Sequence, residues 1–314
     1  MRVVFMGTPE FAVPSLAALA DDSRHEVVGV VTQPDRVNRR GGKVAFSPVK
    51  DWALAHGFPV YQPTTIRAEE TLAQLRAWQA DVFVVVAYGK ILPAEVLHMP
   101  TYGCINVHAS LLPKYRGAAP IQYSIWNGDT ETGVTIMRLD EGMDTGDIVA
   151  QATLAVSEDD DVPMLTEKLA ALGADLLTDV LRDLPAALTQ ARAQNHEAAT
   201  YTQKISKEEG RICWQHSANR LCRQVNALHA NPGVYTRFRN RRLKLHRVVA
   251  SDEATTASPG SIVHMDAQGI HIATGEGILV AQLVQPENKK QMSAADFMNG
   301  YQLRVGERFG ESED

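Results

Sequence analysis

Four β-branched runs, RVVFMG (2–7), EVVGVVTQ (26–33), DVFVVVAYG (81–89) and CINVHAS (104–110), punctuate the first third of the chain. They are nearly continuous in apolar residues, as parallel strands covered on both faces are, rather than alternating like half-exposed strands. Between or after them lie stretches of helical spacing: PEFAVPSLAALA with proline in its opening turns, then 67–78 and 120–127. GVTIMRLD (133–140) and DIVAQATLAV (147–156) read as a further strand pair, and 162–183 as a long amphipathic helix. This order predicts an α/β class fold, a doubly wound Rossmann-like domain over residues 1–189.

The character of the chain then changes. Residues 190–206 are polar and weakly periodic and are expected to be a linker. In 207–314 a helical RICWQHSANRLCRQVNAL precedes short strands with Gly and Asn turns. That spacing suggests a small β-barrel of the oligonucleotide-binding (OB) type.

Charge separates the two parts. Residues 1–189 hold 15 basic and 24 acidic side chains, whereas 211–247 hold nine Arg or Lys and no acid. A basic block on a chain of net charge −6 points to a polyanionic partner, although a solvated surface has the same composition. No stretch reaches the ~18 apolar residues of a membrane span, and the start is too short in apolar residues for a signal h-region. The three cysteines lack C-x-x-C spacing, so a reducing, cytoplasmic setting is expected.

Two common chemistries find little support. FMGTPEF follows the first strand, but Gly7 alone is not the G-x-G-x-x-G of a dinucleotide site. The acids of DEGMDTGD miss calcium-loop spacing, there is no H-E-x-x-H, and the ten histidines are scattered, so no metal is expected.

NVHASLLPKYRGAAP (106–120) is more informative. Asn106 and His108 stand two apart on a strand and so share a face. At the carboxyl end of a parallel strand, that face borders the crevice where open α/β sheets bind ligands. An amide can donate to a developing oxyanion, and an imidazole can hold or pass a proton near neutral pH. Asp144, in the Gly-bracketed turn of GMDTGD, could fix the imidazole tautomer or take up a proton. The three residue types suit acyl transfer to an amine. Taken alone, such a pair is more often structural and such an Asp more often a turn-former. No nucleophilic Ser or Cys elbow accompanies them. The loop 34–50 adds Arg36, Arg39, Arg40, Lys43 and Lys50 around Gly41–Gly42.

NVHASLLPKYRGAAP with GDTETGVTIMRLDEGMDTGDI closely resembles the signature of the folate-dependent formyltransferases. The match extends through MGTPEFAVPSL, VTQPDR and SPVK and into the C-terminal region. The resemblance implies transfer of the formyl group of 10-formyltetrahydrofolate to the α-amino group of methionyl initiator tRNA, by direct attack through a tetrahedral intermediate. It places the catalytic trio on Asn106, His108 and Asp144. Folate contacts fall on Ser110, Leu111, Leu112 and Pro113, with Val84 and Tyr88 walling the pteridine. It assigns tRNA contacts to Arg36, Arg39, Arg40 and Lys43, and to Arg239, Arg241, Arg242 and Lys244 on the barrel. One departure is the Ala109 of HAS, where relatives often carry glycine. A monomer would suffice, since site and tRNA platform share one chain. The rivals are a formyltransferase acting on a ribonucleotide amine or amino sugar, and a non-catalytic RNA-binding protein.

Overall fold

The computed structural model describes residues 1–37, 44–229 and 231–310. Its first half alternates strands and helices: β1 (Arg2–Gly7), α1 (Val13–Asp21), β2 (Glu26–Val31), the short pair β3 (Arg36–Val37) and β4 (Val44–Ala45), and α2 (Pro48–Ala55). Next come β5 (Val60–Tyr61), α3 (Glu69–Ala77), β6 (Val82–Val86), α4 (Ala94–Leu97) and β7 (Cys104–His108). Then follow β8 (Arg116–Gly117), α5 (Pro120–Asn127), β9 (Glu131–Arg138), β10 (Ile148–Ala155) and α6 (Val162–Leu181). After α7 (Leu184–Thr189) the chain returns as β11 (Tyr201–Thr202).

Seven of these strands form one sheet in the order β10-β9-β7-β6-β1-β2-β5. The β-branched runs pair in parallel, Phe5 opposite Val84 and Val85 opposite Asn106, while β9 runs antiparallel to β7 with Thr135 opposite His108. Continuous apolarity follows from burial: every residue of β6 and β7 is buried. α6 shows why its pattern predicted a helix. Leu165, Leu169, Gly173, Leu177 and Val180 recur at helical spacing on its buried side. Gly173 lets the helix lie close to the sheet, since a Cβ there would stand 2.9 Å from a Val107 methyl. Each fully buried leucine contributes about 1.5–3 kcal/mol.

Strand order reverses about β1, which passes from β2 on one side to β6 on the other. The chain just past their carboxyl ends converges there: the Tyr88 carbonyl accepts from Gln33 Nε2 at 2.8 Å and from Thr8 Oγ1 at 3.4 Å. That is the crevice in which doubly wound sheets take ligands.

Residues 190–206, expected as a linker, differ from that expectation as far as Thr202. Ile148 and Arg192 exchange backbone hydrogen bonds of 2.8 and 2.9 Å, and β11 pairs in parallel with β8. The compact unit containing the sheet includes Leu165–Thr202.

The second unit carries α8 (Ala218–Leu228), β12 (Val234–Phe238), β13 (Arg241–Ser251), β14 (Ile262–Met265), β15 (Ile270–Ala273), β16 (Ile278–Pro286), β17 (Met292–Ser293) and α9 (Ala294–Tyr301). Its sheet is antiparallel, ordered β12-β13-β16-β15-β14 with β17 on β16. Arg239 and Asn240 both have positive φ in the two-residue turn joining β12 to β13, the backbone hand that a tight hairpin demands. Ser217 and Ser293 cap α8 and α9 by accepting from Arg220 N and Asp296 N. Phe238 packs against Phe297 and Phe309 in the core. No helix among the described residues is long and apolar enough to cross a membrane.

Candidate active site

At the carboxyl end of β7, Asn106 and His108 are 8% and 6% exposed. Facing the same way, they reach the rim of the sheet without leaving it. His108 Nε2 lies 3.0 Å from the Tyr115 carbonyl. A carbonyl can only accept, so Nε2 carries the hydrogen and Nδ1 is the nitrogen left to exchange a proton. Nδ1 faces Asp144 Oδ1 at 3.8 Å, too far for a direct hydrogen bond. Among the described residues the Asn106 amide has no side-chain hydrogen bond, which leaves its donors available to a ligand.

Asp144 sits in the left-handed region, φ 55°, which a short polar side chain tolerates better than most. Its Oδ2 accepts from the Gly117 amide at 2.7 Å. Gly117 has φ 109°, and a Cβ there would stand 2.3 Å from the Thr202 carbonyl. So the loop carrying the Tyr115 carbonyl and the Gly117 amide is clamped by 200–202. Tyr115 N donates to Thr200 Oγ1 at 2.8 Å, Arg116 N to the Thr200 carbonyl at 2.8 Å, and Ala119 N to Thr202 Oγ1 at 3.1 Å. Tyr115 itself holds φ 61°, uncommon for a bulky residue, and the clamp is what maintains it.

Gln194 ties this loop to the Asp144 turn. Its Nε2 donates to the carbonyls of Asp144 (2.9 Å) and Gly146 (2.7 Å). Its Oε1 accepts from Arg116 Nε (3.1 Å) and Nη2 (2.7 Å). Arg116 is 1% exposed, and its other side-chain partners are His196 Nδ1 and Tyr201 Oη. A buried guanidinium with no carboxylate partner among the described residues is costly to arrange and costlier to disturb.

The predicted folate segment folds back beside β9. Thr135 Oγ1 donates to the Ser110 carbonyl (2.6 Å) and accepts from Leu112 N (3.0 Å), and Gln151 Nε2 donates to the Leu112 carbonyl (2.9 Å). Ser110 Oγ is spent on the Lys114 carbonyl at 2.6 Å. Leu112 is buried, whereas Leu111 and Pro113 keep part of their surface exposed. Val84 is fully buried in mid-sheet, and Tyr88 lies in a core cluster with Met6, Phe83 and Leu92. Burial pushes the Tyr88 phenol up to about 12.

Of the expected tRNA contacts, Arg39, Arg40 and Lys43 lie outside the described residues, as does the Arg36 side chain. In the second unit, Arg239 is engaged at home: it pairs with Glu307 at 2.7 Å, donates to the Tyr301 carbonyl and covers the Phe238 ring. Arg241 is exposed at the start of β13. Arg242 and Lys244 share the outward face of β13, opposite Arg237 and Tyr235 of β12, and the Arg242 guanidinium lies 3.7 Å from the Tyr235 ring centroid. Cations interleaved with an aromatic ring make a surface suited to a phosphate backbone with unpaired bases.

A doubly wound sheet that gathers an amide, an imidazole and a carboxylate at one strand end offers a crevice suited to a transfer reaction on a bound ligand. Residues 1–181 match the family described as Formyl transferase, and 204–302 match Formyl transferase, C-terminal domain. The chain is 45% identical to a methionyl-tRNA formyltransferase of Hydrogenovibrio crunogenus over 310 residues, 99% of each chain. It is 48% identical to one from Synechococcus sp. strain JA-3-3Ab over 318 aligned positions, 98% of each. The N-formyltransferase of Helicobacter canadensis, solved with folinic acid and dTDP-3-aminofucose, shares the fold at 17% identity and a TM-score of 0.65, covering 91% of this chain and 99% of its own. The chain belongs to the methionyl-tRNA formyltransferase family of folate-dependent formyltransferases.

Proposed function

We propose that the protein transfers the formyl group of 10-formyltetrahydrofolate to the α-amino group of charged initiator methionyl-tRNA, for translation initiation in the cytoplasm, and that it works as a monomer. The observation that carries this reading is the convergence of Asn106, His108 and Asp144 at the end of β7 in a chain nearly half identical to methionyl-tRNA formyltransferases. The residues present suit the formyl donor: an amide with free donors and, a few residues further along the segment, the half-exposed apolar side chains of Leu111 and Pro113.

A free α-amino group titrates near ~7.7–8.0, so part of the substrate is protonated at neutral pH and must be deprotonated to attack. When the amine nitrogen bonds to the formyl carbon, the carbonyl π electrons move to oxygen. The Asn106 amide donates to that oxyanion, with His108 assisting through a proton on Nδ1. The ammonium proton leaves toward Asp144, whose carboxylate the Gly117 amide holds in place. Collapse re-forms the C=O bond and breaks the bond to the folate nitrogen, which takes the Nδ1 proton of His108, and Asp144 then passes the amine proton back to His108. The tyrosine carbonyl at 115 keeps His108 from rotating during this exchange. The scheme calls for no metal.

The test is formyl-methionyl-tRNA formation from purified protein, 10-formyltetrahydrofolate and charged initiator tRNA. Loss of one oxyanion donor lowers turnover by ~10²–10³, the outcome expected of Asn106→Ala. His108→Ala is expected to abolish measurable transfer. Full turnover in folded Asn106→Ala would remove its role. Absence of transfer by wild-type protein would redirect the search to amino sugars and ribonucleotide amines with the same donor.

A further inference from the structure

The histidines that look scattered along the chain are not all scattered in the fold. In the hairpin of β14 and β15, His264 and His271 are directly cross-strand partners, with ring centroids 5.0 Å apart. Asp266, at the mouth of the turn between the strands, reaches both rings. His271 Nε2 lies 3.0 Å from its Oδ1, and His264 Nε2 lies 3.4 Å from its Oδ2. The carboxylate is pinned from behind, because Oδ1 also accepts from the backbone amides of Gln268 (2.8 Å) and Gly269 (3.2 Å). That Asx turn accounts for Asp266 and one histidine. It leaves unexplained why a second imidazole, largely exposed on its own strand, points Nε2 at the remaining oxygen.

The three ligand atoms all lie within 4.8 Å of one another. A four-coordinate cation with ligands at ~2.0–2.1 Å needs them about 3.4 Å apart. Each ring nitrogen is already near that distance from one carboxylate oxygen, His271 Nε2 from Oδ1 and His264 Nε2 from Oδ2, and His264, 61% exposed, has room to adjust. Two imidazoles and a carboxylate are the donor set of zinc and neighbouring late first-row metals rather than of magnesium or calcium. Three protein ligands leave a position for water, as in open zinc sites.

We propose that His264, Asp266 and His271 form a binding site for a late first-row divalent cation, Zn²⁺ foremost, on the β14–β15 hairpin. Binding takes the Nε2 lone pair of His271, so the ring's hydrogen moves to Nδ1 and the hydrogen bond to Asp266 gives way to the shared cation. The cation ties the two strands and their turn together. The site needs no part of the formyl-transfer scheme.

Titration of the metal-free, tag-free full chain with ZnCl₂ in a calorimeter tests this. One equivalent is expected to bind in a single phase that excess chelator reverses. His264→Ala is the informative variant because its ring is mostly exposed and its loss leaves the Asx turn intact. It is expected to weaken that phase roughly tenfold or more, a range that even indirect disturbance of metal ligands reaches, and His271→Ala to do the same. Nitrogen-15 spectra of the imidazoles give a second readout, with Nε2 of both residues shifting on zinc addition. Unchanged zinc affinity and stoichiometry in His264→Ala, or imidazole shifts confined to other histidines, would overturn the proposal.

Discussion

Gln194 spends both ends of its amide: the oxygen on a buried guanidinium, the nitrogen on the carbonyls of Asp144 and Gly146. It therefore positions the carboxylate that faces His108 without belonging to the reacting set. Gln194→Leu keeps comparable bulk while taking one acceptor from Arg116 and the donor from two carbonyls. Leaving a buried polar group unsatisfied costs ~1–3 kcal/mol, and more when it is charged. The expected outcome is a fall of several degrees in Tm together with a lower kcat. Gln194→Glu separates the two effects, since it gives Arg116 a counter-charge but removes the donors to 144 and 146. Recovery of Tm with kcat still depressed is expected, and wild-type kcat in Gln194→Glu would remove the positioning role.

At the scale of elements, the proposed active site is one strand end, one turn and two short paired segments. β8 and β11 contain only two residues each, yet they fix the Tyr115 carbonyl against His108 and the Gly117 amide against Asp144. Gly117→Ala places a Cβ 2.3 Å from the Thr202 carbonyl at a backbone angle that L side chains rarely adopt. The loop must move, and misplacement by about 1 Å can cost ~10²-fold in rate. Single-turnover formylation is expected to slow by about that factor. Gly300→Ala, at an open position in α9, is the control and should leave the rate unchanged. These pieces also mark the limit of what could be read without coordinates. The shared face of Asn106 and His108 is legible because a period of two puts them there, and the turn at Asp144 because glycines bracket it. Nothing in a sequence marks the Tyr115 carbonyl, since every residue carries one. Nor does anything mark Gln194, which reaches Asp144 from 50 residues away through a stretch whose polarity read as a linker. The same limit hid the His264–His271 pair, because cross-strand neighbours exist only once a hairpin register is set. The apolarity of Val84 and Tyr88 was visible, but not that the sheet would bury both on all sides.

At the scale of the molecule, a chain of net charge −6 must bring a polyanion to a site whose own unit is acidic. The nine cations of 211–247 answer that need only if they remain available, and the structure separates them. Arg239 is tied to Glu307 and to the Tyr301 carbonyl, whereas Arg242 and Lys244 stand on the outward face of β13 beside Tyr235. Each phosphate contact releases condensed counterions, so log Kd for a tRNA changes linearly with log salt, with a slope that counts contacts. Measured between low and physiological salt, Arg242→Ala and Lys244→Ala are each expected to flatten that slope by about 1. Arg239→Ala should leave the slope alone and lower the Tm of the C-terminal unit instead, because its charge is already matched at home. A small amine substrate would show almost no slope at all. The series therefore reads the substrate class and the platform together. A steep slope that none of the three variants alters would keep the tRNA substrate but move its grip away from β13.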